Sequence, residues 1–131
     1  MAPRFDLIGM VTADMAATLA FYRRLGLDIP AEADTAPHAE AVGPGGVRLA
    51  WDTVEVIASM HPGWELPRGP GRMSLAFRCE DPAEVDRVHA ELTAAGYRGL
   101  KEPWDAFWGQ RYAVVEDPDG NGVDLFAELN P

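Results

Sequence analysis

Two helix starts of the same design stand at matching points of this chain, and they constrain its fold more than any other feature. An apolar run from Phe5 to Val11 leads into Thr12-Ala13-Asp14, and a second, Met73 to Cys79, leads into Asp81-Pro82. An aspartate at such a point offers a side-chain oxygen to the free amides of a helix's first turn, and a proline suits the first helical position. Leu19, Phe21, Tyr22 and Leu25 then give the first helix its apolar face before Gly26; Val85, Val88 and Leu92 do so for the second before Gly96. Strand-like runs follow each helix. Residues 38–42 and 47–51 flank the turn Gly43-Pro44-Gly45-Gly46, and residues 108–116 and 121–126 flank Asp117-Pro118-Asp119-Gly120. In the latter turn Pro118 presets φ, the aspartates cap local amides and Gly120 is free to take positive φ.

The plan is therefore a duplicated strand–helix–strands module. Strands outnumber helices, which argues for an α+β fold rather than a doubly wound sheet. The expected architecture is two βαβββ modules, residues 1–60 and 72–131, within one domain. The Pro- and Gly-rich stretch 61–71 would link them. One module alone buries too little surface to be comfortable, so modules are expected to pair, within the chain or with a second chain.

Charge and cysteine content narrow the function classes. A net charge of -10 repels a phosphate polyanion and argues against nucleic acid as a partner. Such acidity mildly favours a cationic ligand, although its commoner meaning is solubility. Cys79 is the one cysteine, so no disulfide forms within the chain, which suits a cytoplasmic protein. Its place in a strand reads as a buried structural thiol rather than a nucleophile. No apolar stretch approaches a membrane span, and the opening residues Pro3, Arg4 and Asp6 lack a signal-peptide core. There is no Gly-x-Ser-x-Gly motif, and Gly43-Pro44-Gly45-Gly46 reads as a hairpin turn rather than a phosphate loop.

The Asp-Pro-Asp-Gly hairpin, together with residues 13–27 and their Phe21-Tyr22 near the helix end, resembles the vicinal oxygen chelate superfamily, the glyoxalase and bleomycin-resistance proteins. Some of its members hold a metal and catalyse; others hold none and bind a drug. The resemblance implies a curved mixed sheet enclosing a cup, often completed across a homodimer. A closer resemblance runs through residues 29–42, 47–55 and 108–112, which look like the mitomycin-resistance type of antibiotic-sequestering members.

The resemblance also locates the metal-ligand places of the catalytic members: Leu7 on the opening strand, Ser74 on the strand opening the second half, and Asp124 after the Asp-Pro-Asp-Gly turn. Leucine cannot ligate and neutral serine is a poor ligand. One carboxylate does not hold zinc or nickel, nor magnesium or manganese without more oxygens. Asp6, beside Leu7, should alternate to the opposite strand face. His89 lies off the Val85-Val88-Leu92 face and reads as solvated, and His61 reads as a loop residue. No metal and no cofactor are expected.

Aromatic residues take the place of ligands. The four tryptophans are Trp51, Trp64, Trp104 and Trp108; Trp64 and Trp104 lie in turn-rich segments beside Pro62 and Pro103, and Trp108 heads a strand. A tryptophan face offers a large flat apolar surface. In the mitomycin-binding relatives a planar ring is sandwiched between an aromatic residue and a histidine, and the matching positions are Trp108 and His38. Against that stands a plainer reading, with Trp108 packed on Phe107 and His38 simply exposed. Strand alternation puts Gln110 and Tyr112 on the face of Trp108, where both can hydrogen-bond a ligand, and turns Arg111 away. Trp104 is a further wall residue, and Trp51 is either wall or core.

The expectation is a metal-free, non-enzymatic binding protein, a cytoplasmic homodimer that sequesters a planar quinone-like or polycyclic antibiotic and so confers resistance. Its ligand-binding residues would be Trp108, His38, Tyr112, Gln110, Trp51 and Trp104. The alternatives are a lyase or isomerase acting on a small carbonyl compound, with Asp124, Glu55 and a further ligand as its metal set, and a biosynthetic protein that carries or transforms a polycyclic compound.

Overall fold

The computed structural model describes residues 2–43, 45–67, 69 and 73–130, which divide into two compact units, residues 1–67 and 68–131. Of the stretch expected as a linker, 61–71, residues 68, 70 and 71 lie outside the described residues, as does Pro44 of the first hairpin turn.

The second unit runs β4 (Ser74–Arg78), α3 (Pro82–Ala94), β5 (Gly99–Ala106), β6 (Gln110–Glu116) and β7 (Gly122–Glu128). Its sheet has the order β4-β7-β6-β5, with β4 and β7 parallel and the remaining pairs antiparallel. The helix begins as the sequence dictates: Asp81 accepts a hydrogen bond from the Glu84 amide at 2.8 Å, and Pro82 opens the first turn. It packs on β5, β6 and β7, burying Val85, His89 and Leu92, while Ala113, Val115, Val123, Leu125 and Ala127 are buried on the strands. His89 is a correction. The buried stripe takes the i+4 position, and Gly99 makes room for the ring, since a Cβ at residue 99 would lie 3.2 Å from His89 Nε2. That nitrogen is buried without a hydrogen-bond partner among the described residues. Cys79 follows β4 as a buried thiol, and burial pushes its pKa up to about 11, which keeps it protonated and inert.

The turn joining β6 to β7 is held by one buried carboxylate. Asp117 Oδ1 accepts from the amides of Asp119 at 2.9 Å and Asn121 at 2.8 Å, and Oδ2 accepts from the Asn121 side chain at 2.8 Å. Gly120 takes φ +90° there.

The first unit runs β1 (Leu7–Thr12), α1 (Met15–Arg24), a 3-10 turn (Ala31–Thr35), β2 (His38–Val42), β3 (Arg48–Thr53) and α2 (Val54–Met60). Asp14 caps α1 by accepting from the Ala17 amide at 3.1 Å, the counterpart of Asp81. The sheet order is β1-β3-β2, with β1 and β3 parallel. Phe21, Tyr22, Leu19 and Trp51 have no exposed surface and form its core, with the rings of Tyr22 and Trp51 5.2 Å apart.

The fold is thus α+β, with two mixed sheets of three and four strands. The second unit has the full βαβββ order. In the first, the 3-10 turn stands in the sequence place that β5 occupies in the second, so β2 is an edge strand. Pro30 and Pro37 bracket that segment, and proline withholds the amide a ladder needs. The unforeseen helix α2 starts at Thr53, whose hydroxyl accepts from the Val56 amide at 3.4 Å.

Candidate functional site

With α3 covering one face of the second unit's sheet, alternation places Gln110, Tyr112, Asp124, Phe126 and Glu128 on the other. Trp104 joins them because it stands directly opposite Tyr112 across the β5–β6 pair. Trp104 was expected in a turn; it lies in β5, whose two register shifts and Pro103 disguise the strand in the sequence. Trp108 was expected to head a strand; it lies in the three-residue loop before β6. The loop closes with Gly109 at φ +92°, a conformation that glycine supplies without strain.

The rings meet edge to face. Trp108 lies 5.3 Å from Tyr112, 5.9 Å from Trp104 and 5.1 Å from Phe107, all near perpendicular. Trp104 and Tyr112 lie 5.7 Å apart, and Tyr112 stacks on Phe126 at 6.2 Å. Trp108 keeps 47% of its surface exposed and Phe107 keeps 97%, so this is an open aromatic wall and not a core. Lys101 Nζ sits 5.0 Å over the Trp104 ring.

A polar chain fixes the wall. The Trp108 indole N–H donates to Gln110 Oε1 at 2.9 Å, and Gln110 Nε2 donates to Glu128 Oε1 at 2.9 Å, which also receives Arg78 at 3.4 Å. The amide of Gln110 is thereby oriented to hold the indole. At the other end Tyr112 OH donates to Asp124 Oδ2 at 2.5 Å, and Ser74 Oγ donates to the same oxygen at 3.3 Å. Burial first, then the Asp124 carboxylate, pushes the Tyr112 pKa up to about 12, so the phenol keeps its proton. Arg111 turns away, to Asp86 at 2.9 Å and Asp105 at 3.0 Å, as alternation requires. The resemblance drew attention to Asp124 only as a ligand place. Its pairing with Tyr112 shows once the β6–β7 register is fixed.

His38 lies in the first unit, on the sheet face away from Trp51. It belongs to a network whose local signal was the alternation of His38 and Glu40 on β2 and of Arg48 and Asp52 on β3. His38 Nδ1 meets Asp52 Oδ1 and Nε2 meets Glu40 Oε2, each at 2.7 Å. Arg48 continues the chain to Glu40 at 2.5 Å and to Asp6. Asp6 was expected on the far face; it precedes β1, where alternation no longer binds it. Trp51 has no exposed surface, which supports the core reading of the two it was given. Glu55 is exposed in the first turn of α2.

Bonds to Glu40 first, then Asp52, raise the His38 pKa above the ordinary histidine value. A group with a raised folded pKa contributes stability below its unfolded value and loses it as pH rises through the folded one. We therefore expect the His38 imidazole, followed by NMR, to titrate above the ordinary value. Glu40→Gln should lower that value more than Asp52→Asn does, and titration of wild type at or below the ordinary value would contradict the network.

A metal does not fit these residues. Leu7 has no donor, Ser74 and Tyr112 occupy one oxygen of Asp124, and among the described residues no three His, Cys, Asp or Glu side chains group to hold an ion.

A family model described as the glyoxalase/bleomycin resistance protein/dioxygenase superfamily matches residues 4–125. No curated protein matches the chain. Among solved structures, a glyoxalase/bleomycin resistance protein/dioxygenase from Nocardioides is 28% identical at a TM-score of 0.75, over 99% of this chain and 86% of that one. A family enzyme from Burkholderia phytofirmans PsJN is 19% identical at a TM-score of 0.80, over 97% and 100%. A glyoxalase-related enzyme from Fulvimarina pelagi is 22% identical at a TM-score of 0.79, over 97% and 89%; these last two likenesses speak to the fold alone.

Proposed function

The chain belongs to the glyoxalase/bleomycin resistance protein/dioxygenase superfamily, whose name spans enzymes and binding proteins alike, and we propose that this member is a binding protein that works without metal. It sequesters a planar quinone-like or polycyclic antibiotic by aromatic stacking and apolar burial, in the manner of the mitomycin-resistance type, and breaks no bond. The observation that carries this reading is the half-open Trp108, braced edge-on by Trp104 and Tyr112 and fixed by Gln110. A rigid flat ring with one side open is what a planar ligand needs, and holding it in place beforehand lowers the cost of binding. His38 stays in the proposal as the second clamp residue on the strength of the resemblance. The protein is taken as a cytoplasmic homodimer; among the described residues no helix is long and apolar enough to cross a membrane.

The lyase reading has less to stand on. Its carboxylate, Asp124, accepts two side-chain hydrogen bonds on one oxygen, and Leu7 and Ser74 offer no ligand set. Titration of intrinsic tryptophan fluorescence with a panel of planar quinone and polycyclic antibiotics separates the two. Saturable quenching at one ligand per site, unchanged by a chelator, is expected. Stoichiometric metal in protein purified without chelator, or binding abolished by chelation, would overturn the proposal.

A further inference from the structure

At the Tyr112 end of the aromatic wall the indole and hydroxyl donors are already spent, whereas the Lys101 ammonium stands over the Trp104 ring on the β5 side. The Trp108 indole N–H is on Gln110, and both the Tyr112 and Ser74 hydroxyls are on Asp124 Oδ2. What remains open beside Tyr112 is an acceptor. Asp124 Oδ1 takes no hydrogen bond from the described residues, and the side chain is half-buried. It lies one hydrogen bond beyond the phenol end of Tyr112, whose ring is 5.3 Å from that of Trp108. A fused ring stacked on Trp108 stands nearly perpendicular to the Tyr112 ring, and one that extends past the phenol end of Tyr112 would bring its rim to this carboxylate.

We propose that Asp124 selects the ligand: the wall takes planar rings that carry an N–H donor on the rim, amino-substituted polycycles, over equally flat rings that present acceptors only. This rests on the stacking reading above and narrows its substrate class. A ring whose rim carries carbonyl oxygens alone would set acceptor against acceptor, leaving Asp124 Oδ1 desolvated and unpaired, which is costly. Specificity by such mismatch is strong because the site's own polar group is the one left unsatisfied.

Two dyes isolate the donor from the charge and the ring. Both dyes are used methylated at the ring nitrogen, so that each is a permanent flat tricyclic cation with no ring N–H: proflavine then keeps its two exocyclic amino groups as donors, and acridine orange, the same ring system with those nitrogens fully methylated, has none. Binding to the full chain is read by fluorescence titration and calorimetry. Wild type should bind proflavine roughly ten- to a hundredfold more tightly than acridine orange, the span of a hydrogen bond to a charged group. Asp124→Asn should erase that preference, weakening both cations through the lost charge and proflavine by roughly a further ten- to hundredfold. Tyr112 OH needs the amide oxygen, so the amide NH2 faces the ligand and opposes its donor. Thermal unfolding of Asp124→Asn checks that the sheet is intact.

Equal affinity for the two dyes in wild type, or a preference that survives in Asp124→Asn, would overturn the assignment. If Trp108→Ala still weakened both dyes in that case, the stacking reading would stand alone. If neither dye bound wild type, the stacking reading would fall with it.

Discussion

Trp108→Ala is expected to weaken binding of a planar antibiotic by about 2–4 kcal/mol, or some thirtyfold to several hundredfold, the range of an interface hot spot. Stacking supplies roughly 0.5–1.5 kcal/mol beyond area burial, and covering a large ring supplies the rest. Trp108→Phe should cost far less, because a flat π-face survives although the bond to Gln110 is lost. His38→Ala should cost less than Trp108→Ala, since imidazole offers the smaller face. The variants should fold, as Trp108 sits in a hairpin loop with 47% of its surface exposed. Fluorescence or calorimetric titration with the antibiotic measures the change. A normally folded Trp108→Ala protein that binds like wild type would put the ligand elsewhere.

The largest effect on stability should come from Trp51. Trp51→Ala is expected to destabilise the protein by about 3–5 kcal/mol in denaturant unfolding, the usual cost of emptying a buried tryptophan site. The side chain has no exposed surface and packs against Tyr22, so its removal leaves a cavity that α1 and β3 cannot close without moving. Trp51→Phe should be much milder, because it keeps a ring against Tyr22 and removes an indole N–H that is buried without a partner among the described residues. With no surface at Trp51 for a ligand to touch, Trp51→Phe should bind as wild type does. A loss under about 1 kcal/mol for Trp51→Ala would remove the residue from the core.

What the sequence disclosed follows the range of the interactions. Helix starts at Asp14 and Asp81, and the Asp117–Gly120 turn, are decided by neighbours a few residues away, and each stands where local chemistry puts it. The shared face of Gln110 and Tyr112 follows from a period of two. Trp104 was misplaced because Pro103 and two register shifts break that period in β5. His89 was misplaced because a helix stripe admits i+3 or i+4, and Gly99, which opens the next strand and packs back on the helix, decides between them. The missing strand of the first unit rests on Pro30 and Pro37, which were readable, and on an edge left unpaired, which was not. For the site, the aromatic wall could be anticipated. The Asp124–Tyr112 bond and the His38 network were harder to read, since alternation gives the face of each side chain but not the register in which the two strands of each hairpin align.

The cradle that Asp117 builds at the β6–β7 turn decides the parity of the hairpin. Were the turn to gain or lose one residue on one side, odd and even positions would trade places along that strand relative to its partner. Tyr112 or Asp124 would swing under α3 and Ala113 or Leu125 would swing out to water. The three hydrogen bonds of one carboxylate in a loop thus set which half of the hairpin's side chains becomes core and which meets a ligand. Changes in ligand preference can accumulate on the outward positions at little cost to folding, whereas a change at Asp117 threatens both at once.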